Sequence, residues 1–218
     1  MYRIIKRFFD FLFSLIAIIL LLPFMLPLII ILLFTGEHEV FYGQKRVGYK
    51  NKEFRIWKFA TMIKDSPNLG TGEITLRNDP RVTKVGRFLR RTKINELPQL
   101  INVFVGNMSI VGPRPLMQKS FEQYSEDVKA VVYDSPPGIT GVGSVIFRDE
   151  EKIVSESKNI QETYRKIFDY KGRVEQWYQE NKSFYTDLAI IFLTGWGLFF
   201  SFSNLIYKIF PSLPRRNF

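Results

Sequence analysis

The chain has 218 residues and no cysteine, which excludes disulfide bonds, thiolate nucleophiles and cysteine-ligated metals. Its one histidine, His38, excludes any mechanism that needs two histidine ligands. Lysine and arginine outnumber aspartate and glutamate by 31 to 21, and this net charge of +10 favours anionic partners: nucleic acid, anionic lipid or phosphorylated substrates. Much of the aromatic content lies near the two ends of the chain, which favours a membrane surface over a nucleic-acid groove.

Residues 11–34 form an apolar run that carries no charge and one polar residue, Ser14. At about 1.5 Å per residue, a helix of this length could cross roughly 30 Å of hydrocarbon. The run is too long for the core of a signal peptide, and no small-residue cleavage site follows it. We therefore predict a retained membrane segment.

Two prolines, Pro23 and Pro27, lie in the middle of this run. Each removes a backbone donor and clashes with the preceding turn, so the helix should bend sharply there. Cations flank the run on both sides: Arg3, Lys6 and Arg7 before it, and Lys45, Arg46, Lys50 and Lys52 after it. Because cations favour the cytoplasmic side, this pattern favours a re-entrant helix-break-helix. An ordinary kinked span with its N-terminus outside is the alternative.

A second apolar run covers residues 188–207 and is interrupted by small and polar residues. Its aromatic side chains suit a headgroup layer, so we predict an interfacial amphipathic helix. A second span is the alternative, and it would place Lys208, Arg215 and Arg216 on the far side of the membrane.

Between these runs the pattern is that of a small α+β domain, mostly helical. Two short strands, 40–42 and 54–57, are separated by a turn, and residues 64–80 are rich in turn formers. Helices are predicted at 81–91, 96–105, 118–131 and 157–180. The predicted parts are a re-entrant membrane helix over 1–36, a cytosolic catalytic domain over 37–187, and an interfacial helix and tail over 188–218.

The densest chemical signal is a run of cations before residue 94, with one acid, Asp79, among them. On a helix, Lys84, Arg87 and Arg91 share one face. This face could lie on anionic headgroups, or it could clamp phosphate oxygens.

Residues 95–98 predict the start of a helix, with Asn95 as the N-cap and Pro98 in the first turn. Glu96 would lie beside the exposed N–H groups, which suit a phosphate. The alternative for Glu96 is simple complementation of the helix dipole. Further on, prolines 113 and 115 hold Arg114 in a rigid loop, as a bidentate phosphate contact requires.

With these motifs in order, residues 1 to about 148 resemble the bacterial sugar transferase family, the monotopic phosphoglycosyl transferases that act on undecaprenyl phosphate. The matching stretches are Lys6-Arg7-Phe8-Phe9-Asp10, the apolar run with Pro23, 41–48, 57–62, Asn78-Asp79-Pro80-Arg81-Val82-Thr83, Glu96-Leu97-Pro98-Gln99-Leu100, Val111-Gly112-Pro113-Arg114-Pro115 and 137–141.

The resemblance implies a re-entrant membrane helix and a two-step reaction that depends on Mg²⁺. A carboxylate attacks the β-phosphate of a UDP-sugar and releases UMP, and polyprenyl phosphate then attacks the phosphosugar enzyme. Glu96, which would also hold the metal, Asn95 and Asp79 are the implied catalytic positions. The implied phosphate- and substrate-binding residues are Arg90, Arg114, Arg81, Lys58 and Arg148.

One departure matters, because the family has an Asp-Glu pair where this chain has Asn95-Glu96. An amide is uncharged and a poor nucleophile. Glu96 could take the nucleophile's role, with Asp79 or a lipid phosphate helping the metal. The sugar phosphate could instead transfer directly, or the chain could be a non-catalytic membrane scaffold of a glycan assembly complex. Leu22, Ala60 and residues 144–147 also differ from the family pattern.

The expected setting is the bacterial inner (cytoplasmic) membrane, with the catalytic domain facing the cytoplasm. The expected partners are a UDP-sugar, undecaprenyl phosphate and membrane lipid, without nucleic acid, because no stacking motif accompanies the arginines. A homodimer or downstream glycosyltransferases are the protein partners that this role leaves open.

Overall fold

The computed structural model describes residues 1–66, 69, 79–148, 160–200 and 204–216. Its helices and strands, in chain order, are α1 (Tyr2–Leu33), β1 (Phe41–Val47), β2 (Glu53–Phe59), α2 (Lys84–Arg91), α3 (Gln99–Val105), β3 (Ser109–Val111), α4 (Gln118–Phe121), α5 (Glu126–Val131), β4 (Gly138–Thr140), α6 (Val142–Ile146), α7 (Ile160–Asn181), α8 (Phe184–Phe199) and α9 (Leu205–Ile209). This composition confirms a mostly helical α+β fold.

Helix α1 runs without interruption for 32 residues, with Pro23 and Pro27 inside it. The predicted break at the prolines is therefore wrong as an interruption of the helix, because each proline removes only one backbone donor and the surrounding turns remain bonded. Among the described residues, α1 is the one helix that is long and apolar enough to cross a membrane. Most of its apolar side chains are exposed.

The N-terminal half of α1 is tied to the domain by two charged side chains. Arg7 donates to the carbonyl oxygens of Val103 and Phe104, both at 2.6 Å, and so pairs carbonyls at the C-terminal end of α3. Buried Asp10 accepts hydrogen bonds from Ser109 Oγ at 2.7 Å and from Ile110 N at 3.0 Å, which joins the helix to β3.

The C-terminal half of α1 also packs on the domain, through apolar contacts. Met25 and Leu32 are buried in one cluster with Phe59 of β2 and Leu89 of α2. Both halves of the predicted membrane helix therefore touch the same small domain.

Strands β1 and β2 form an antiparallel hairpin in which Phe41 faces Phe59, longer at both strands than predicted. The outer edge of β2 is closed by one fully buried side chain, Asn102 of α3. Its Oδ1 accepts from Trp57 N at 2.9 Å, and its Nδ2 donates to Arg55 O at 2.7 Å. These bonds fix on α3 the strand that carries Lys58.

Strands β3 and β4 form a short parallel pair, in which Val111 faces Thr140. The backbone approaches closely at Gly112, since a Cβ there would lie 2.4 Å from Pro136 O. The chain then enters the loop of residues 112–116, which carries Arg114.

The C-terminal helices build the largest apolar cluster, with Val142 and Val145 of α6, Tyr170 and Val174 of α7, and Ile190 and Ile206 of α8 and α9 among its members. The predicted helix over 188–207 is thus assigned as two helices, and each buries a face in the core. The outer face of α8 exposes Tyr185, Leu188 and Phe192.

The other predicted helices also differ in their bounds: those predicted over 81–91 and 96–105 begin three residues later, as α2 at Lys84 and α3 at Gln99. The predicted helix 118–131 is divided into α4 and α5, because Ser125 takes an extended N-cap conformation before α5. The predicted helix 157–180 corresponds to α7, and its first three residues lie outside the described residues, as does most of the predicted loop 64–80.

Candidate active site

The carboxylate of Glu96 lies among several cations. Glu96 ends a 3₁₀ turn, Ile94–Glu96, that follows Lys93 in a left-handed conformation with φ of 61°. Its Oε1 is 3.7 Å from Lys58 Nζ. Burial opposes ionisation of Glu96, but the charges of Lys58, Arg114 and Lys93 outweigh it and hold the pKa of this carboxyl below its usual value. Glu96 is therefore ionised at neutral pH.

The same group of charges also changes the pKa of Lys58. Burial lowers the pKa of Lys58 to about 8, and although Glu96 raises it, Arg46, Arg114 and Arg90 lower it further. We call Glu96, Lys58, Arg90 and Arg114 the Glu96 cluster. An uneven set of one anion and three cations is suited to a ligand that brings negative charge.

Arg90 is oriented by the segment that precedes α2. Its Nε donates to Oγ1 of buried Thr61 at 2.9 Å. The carbonyl oxygen of Thr61 accepts from Thr83 N at 3.0 Å, and Thr83 caps α2 through Gly86 N. A Cβ at Gly86 would lie 2.1 Å from Thr61 O, so this close packing requires glycine.

The loop of residues 112–116 holds Arg114 with its side chain exposed and its backbone bonded. The hydroxyl of buried Tyr133 donates to Arg114 O at 2.8 Å and accepts from Leu116 N at 2.9 Å. Arg46 donates to Pro115 O at 3.4 Å. The prolines predicted a rigid loop, and these distant side chains complete it.

Beneath the loop lies Glu175 of α7, a residue that the sequence pattern did not single out. It is 3% exposed, and its Oε1 accepts from Arg114 N at 3.4 Å. Burial raises the pKa of Glu175 to about 7, against the lowering effects of the Arg114 N–H and of the Lys171 and Arg114 charges. Its Oε2 is buried and accepts no hydrogen bond within the described part of the chain.

Asp79 and Arg81 pair with each other. Arg81 donates to Asp79 through Nε at 2.9 Å and through Nη2 at 2.6 Å, and both side chains are buried. Arg81 also donates to the carbonyl oxygens of Ser66 and Leu69. This geometry indicates that the pair fixes the backbone at Ser66 and Leu69. It does not bring Asp79 to Glu96 as a second carboxylate.

Arg148 lies near helix α8. A Cβ at Gly197 would be 2.6 Å from one of its guanidinium nitrogens, so the small residue leaves room for Arg148. Arg148 is not among the charges that most affect Glu96 or Lys58.

The sequence is matched by the family model described as "Bacterial sugar transferase" over residues 1–201. The chain belongs to the bacterial sugar transferase family. The match extends past residue 148, where the resemblance ended, and so includes the α7 helix that carries Glu175.

Several relatives are about one third identical to this sugar transferase. The undecaprenyl-phosphate galactose phosphotransferase of Salmonella typhimurium is 34% identical over 209 residues, which cover 88% of this chain and 40% of the relative. The UDP-glucose:undecaprenyl-phosphate glucose-1-phosphate transferase of Escherichia coli is 34% identical over 196 residues, 88% of this chain and 39% of that protein. The chain therefore spans about two fifths of these relatives. The exopolysaccharide production protein ExoY of Rhizobium meliloti is 34% identical over 204 residues and is 83% covered.

Asn95, which departs from the family pattern, is 7% exposed. It does not cap a helix as predicted, because the 3₁₀ turn begins at Ile94 and α3 begins only at Gln99. Its Oδ1 is buried and accepts no hydrogen bond from the residues that the structure describes. Burial of an amide oxygen that has no hydrogen-bond donor costs free energy. A bound substrate or ion could supply the missing partner.

The residues present can be compared with what Mg²⁺ requires. Within the described ranges, no three or more histidine, aspartate or glutamate side chains are grouped so that they could hold a metal ion together. Mg²⁺ commonly keeps several waters and binds through one or two carboxylates and the phosphates of its substrate. Glu96, whose side chain is partly exposed, can supply one carboxylate for this open mode of binding, in which the substrate completes the site.

Proposed function

We propose that this sugar transferase moves a sugar 1-phosphate from a UDP-sugar to undecaprenyl phosphate and releases UMP. This would be the initiating membrane step of bacterial polysaccharide or glycoconjugate synthesis. The observation that carries the proposal is the Glu96 cluster, an ionised carboxylate among three cations in a domain attached to a membrane helix. The names of the relatives support it, since they include undecaprenyl-phosphate phosphotransferases for galactose and glucose.

The cations of the Glu96 cluster bind the diphosphate and offset the negative charge of the phosphoryl group in the transition state of its transfer. Arg114 and Arg90 present planar forks that match phosphate oxygens, and Lys58 adds a point charge. Since the loop of residues 112–116 is held by Tyr133, Arg114 is already in place when the donor arrives. Such preorganisation is the main source of catalysis in phosphoryl transfer.

Glu96 is the nucleophile in this proposal, because Asn95 has no charge to attack with. A carboxylate oxygen of Glu96 bonds to the β-phosphorus, the bond from that phosphorus to the bridging oxygen breaks, and UMP leaves with the electron pair. An oxygen of undecaprenyl phosphate then attacks the same phosphorus and displaces Glu96. Retention of label on the protein after mixing with a [β-³²P]UDP-sugar without lipid would support this step, and its absence would favour direct transfer.

Mg²⁺, held by Glu96 and the Oδ1 of Asn95, would supply further positive charge to the diphosphate. Glu96 keeps its negative charge at neutral pH because of its cationic neighbours. The buried Asn95 side chain contributes a neutral oxygen where a second carboxylate would repel the donor.

The membrane helix is re-entrant in this proposal, with both ends on the cytoplasmic side of the inner membrane. A straight helix of 32 residues extends about 48 Å. If it crossed a bilayer, one end would lie far from the domain. Instead, Arg7 and Asp10 near one end and Leu32 near the other all contact the domain, which supports a position of both ends on the same side of the membrane.

The exposed apolar face of α8 lies on membrane lipid in this arrangement, beside the beginning of α1. Tyr2 and Phe184 are in edge contact, with ring centroids 5.2 Å apart. Lys6 pairs with Asp187 at 2.7 Å. These contacts align the two apolar surfaces and support an interfacial position for α8.

A single cysteine tests the topology, because the chain has none of its own. Arg3 is exposed, so an Arg3→Cys variant should resist an impermeant thiol reagent in intact cells and react after lysis. Labelling in intact cells would contradict the re-entrant arrangement.

The activity is tested by mixing the purified protein in nanodiscs with Mg²⁺, undecaprenyl phosphate and a panel of UDP-sugars. Release of UMP that depends on the lipid and on one donor would establish the transferase and identify the sugar. If no donor is used until Asn95→Asp is introduced, the amide has disabled the chemistry, and the scaffold function would replace this proposal.

A further inference from the structure

A buried carboxylate beneath the phosphate-binding loop is not used by the proposed reaction. Glu175 lies on α7, and its Oε1 accepts from the backbone N–H of Arg114. The space around it is closed, since a Cβ at Gly143 of α6 would lie 2.6 Å from the same oxygen. Glu175 therefore supports the Arg114 backbone from the core.

The charged and titratable groups around Glu175 come from three parts of the fold. Arg114 faces it from the loop, and Lys171 faces it from the preceding turn of α7. The Tyr133 hydroxyl donates to Arg114 O, and the charge of Glu175 raises the pKa of this hydroxyl. The α6 segment packed against Glu175 presents Gly143, which has no charge. The positive charge of Arg114 thus acts on two carboxyl groups, since it lowers the pKa of Glu175 as well as that of Glu96.

The buried Glu175 has no full set of partners. One oxygen has a single long hydrogen bond, and the other accepts none from the described residues. A carboxylate in such a place stays ionised only as long as nearby positive charge stabilises it. A bound diphosphate would cancel the field of Arg114 and so favour protonation of Glu175.

We propose that Glu175 is a positioning residue for the diphosphate of the donor: it holds the backbone of Arg114, and it takes up a proton when the diphosphate binds to Arg114. This inference rests on the proposed function for the identity of the ligand, and it concerns binding alone. By linkage, the protonated form binds the donor more tightly, so affinity falls as pH rises through the Glu175 transition, whose pKa is about 7.

The test is calorimetric binding of UDP-galactose to the full chain in nanodiscs with Mg²⁺, between pH 6 and pH 8. Its diphosphate diester has no titrating group in this range. The wild-type affinity should fall about fivefold across this range, at the lower end of typical coupling between sites. Glu175→Gln keeps an oxygen for the Arg114 N–H and has no charge, so its affinity should fall by no more than about twofold, the part that loss of charge at Lys58 near pH 8 explains. Glu180→Gln, an exposed neutralisation on the same helix, should behave as wild type.

A second measurement covers the case in which Glu175→Gln does not fold. Binding enthalpies of the wild type at pH 7 in buffers of different ionisation enthalpy report the protons taken up. Lys58, with a pKa of about 8, is already mostly charged at this pH, so uptake of several tenths of a proton points to Glu175.

UDP-galactose binding with the same pH dependence in the wild type and in Glu175→Gln would overturn the inference. Binding by wild type without proton uptake at pH 7 would overturn it as well. These outcomes are distinct from failure of the proposed function, which shows as absence of UMP release. A protein that binds UDP-galactose with the expected pH dependence but releases no UMP supports the inference and contradicts the transferase.

Discussion

The two segments that supply the candidate site are built in opposite ways. In the loop of residues 112–116, successive backbone groups are bonded to β1, β4, Tyr133 or Glu175. In the turn of residues 93–96, Lys93 has a strained positive φ, and the buried amide oxygen of Asn95 accepts no hydrogen bond from described residues. In the proposed function, the Arg114 loop that binds phosphate is therefore held in place before the substrate arrives, and the turn that carries Glu96 gains its missing partners from the substrate.

The largest expected effect on activity comes from the turn of residues 93–96, which carries Glu96. Glu96→Gln removes the single anion of the cluster with little change in shape. We expect UMP release to fall by roughly 10³-fold or more, because the proposed covalent step loses its nucleophile. Glu53→Gln, an exposed neutralisation on β2, should retain full activity. Wild-type turnover in Glu96→Gln would refute the assigned role.

The next largest effect on activity comes from the loop of residues 112–116, which carries Arg114. Arg114→Ala removes the planar donor while the prolines and the bonded backbone remain. We expect kcat/KM for the UDP-sugar to fall by about 10²- to 10³-fold, as for loss of one preorganised donor. Arg114→Lys should recover only part of this, since lysine lacks the fork. Full recovery by lysine would show that charge alone matters. Arg55→Ala, at an exposed cation on β2, is the control.

A smaller effect is expected on the pH dependence of activity. It comes from Lys58, which interacts with both Glu96 and Arg114. Burial lowers the pKa of Lys58 to about 8, so its positive charge is present below that pH and is lost above it. We expect kcat/KM to fall about fivefold between pH 8 and pH 9 as this charge disappears. Lys58→Arg keeps its charge in this range and should lack that decline. An unchanged alkaline limb in Lys58→Arg would assign it to another group.

The smallest expected effect on activity tests whether the loop is rigid because of Tyr133. Tyr133→Phe leaves Arg114 O and Leu116 N without their partner. We expect the free energy of unfolding to fall by about 2 kcal/mol, with kcat/KM reduced severalfold, less than in Arg114→Ala. Tyr185→Phe, at an exposed hydroxyl, should change neither quantity. A drop in activity without loss of stability would mean that the hydroxyl acts on the substrate directly.

Local patterns predicted much of the fold. The hairpin of β1 and β2 follows from alternating β-prone residues around a turn, and α1 follows from an uncharged run. Helix ends were less predictable. Ser125 divides a predicted helix because its extended conformation begins α5, and Asn95 failed as an N-cap because the chain forms a 3₁₀ turn there. Such choices depend on what the rest of the domain packs against the turn.

The sequence by itself determined the family of the protein and predicted its class of chemistry. A chain without cysteine, with an apolar run, a cation-rich stretch, Glu96 and a proline-bracketed Arg114 predicts phosphate chemistry at a membrane, because these signals lie in short continuous segments. Only the tertiary structure decided which charges meet. It placed Lys58 3.7 Å from Glu96 and Arg90 near Lys58, kept Asp79 paired with Arg81, and brought Tyr133 and Glu175 to the Arg114 loop. Electrostatic and hydrogen-bonding partners depend on distances in space, and residues separated by tens of positions leave no local pattern to reveal them.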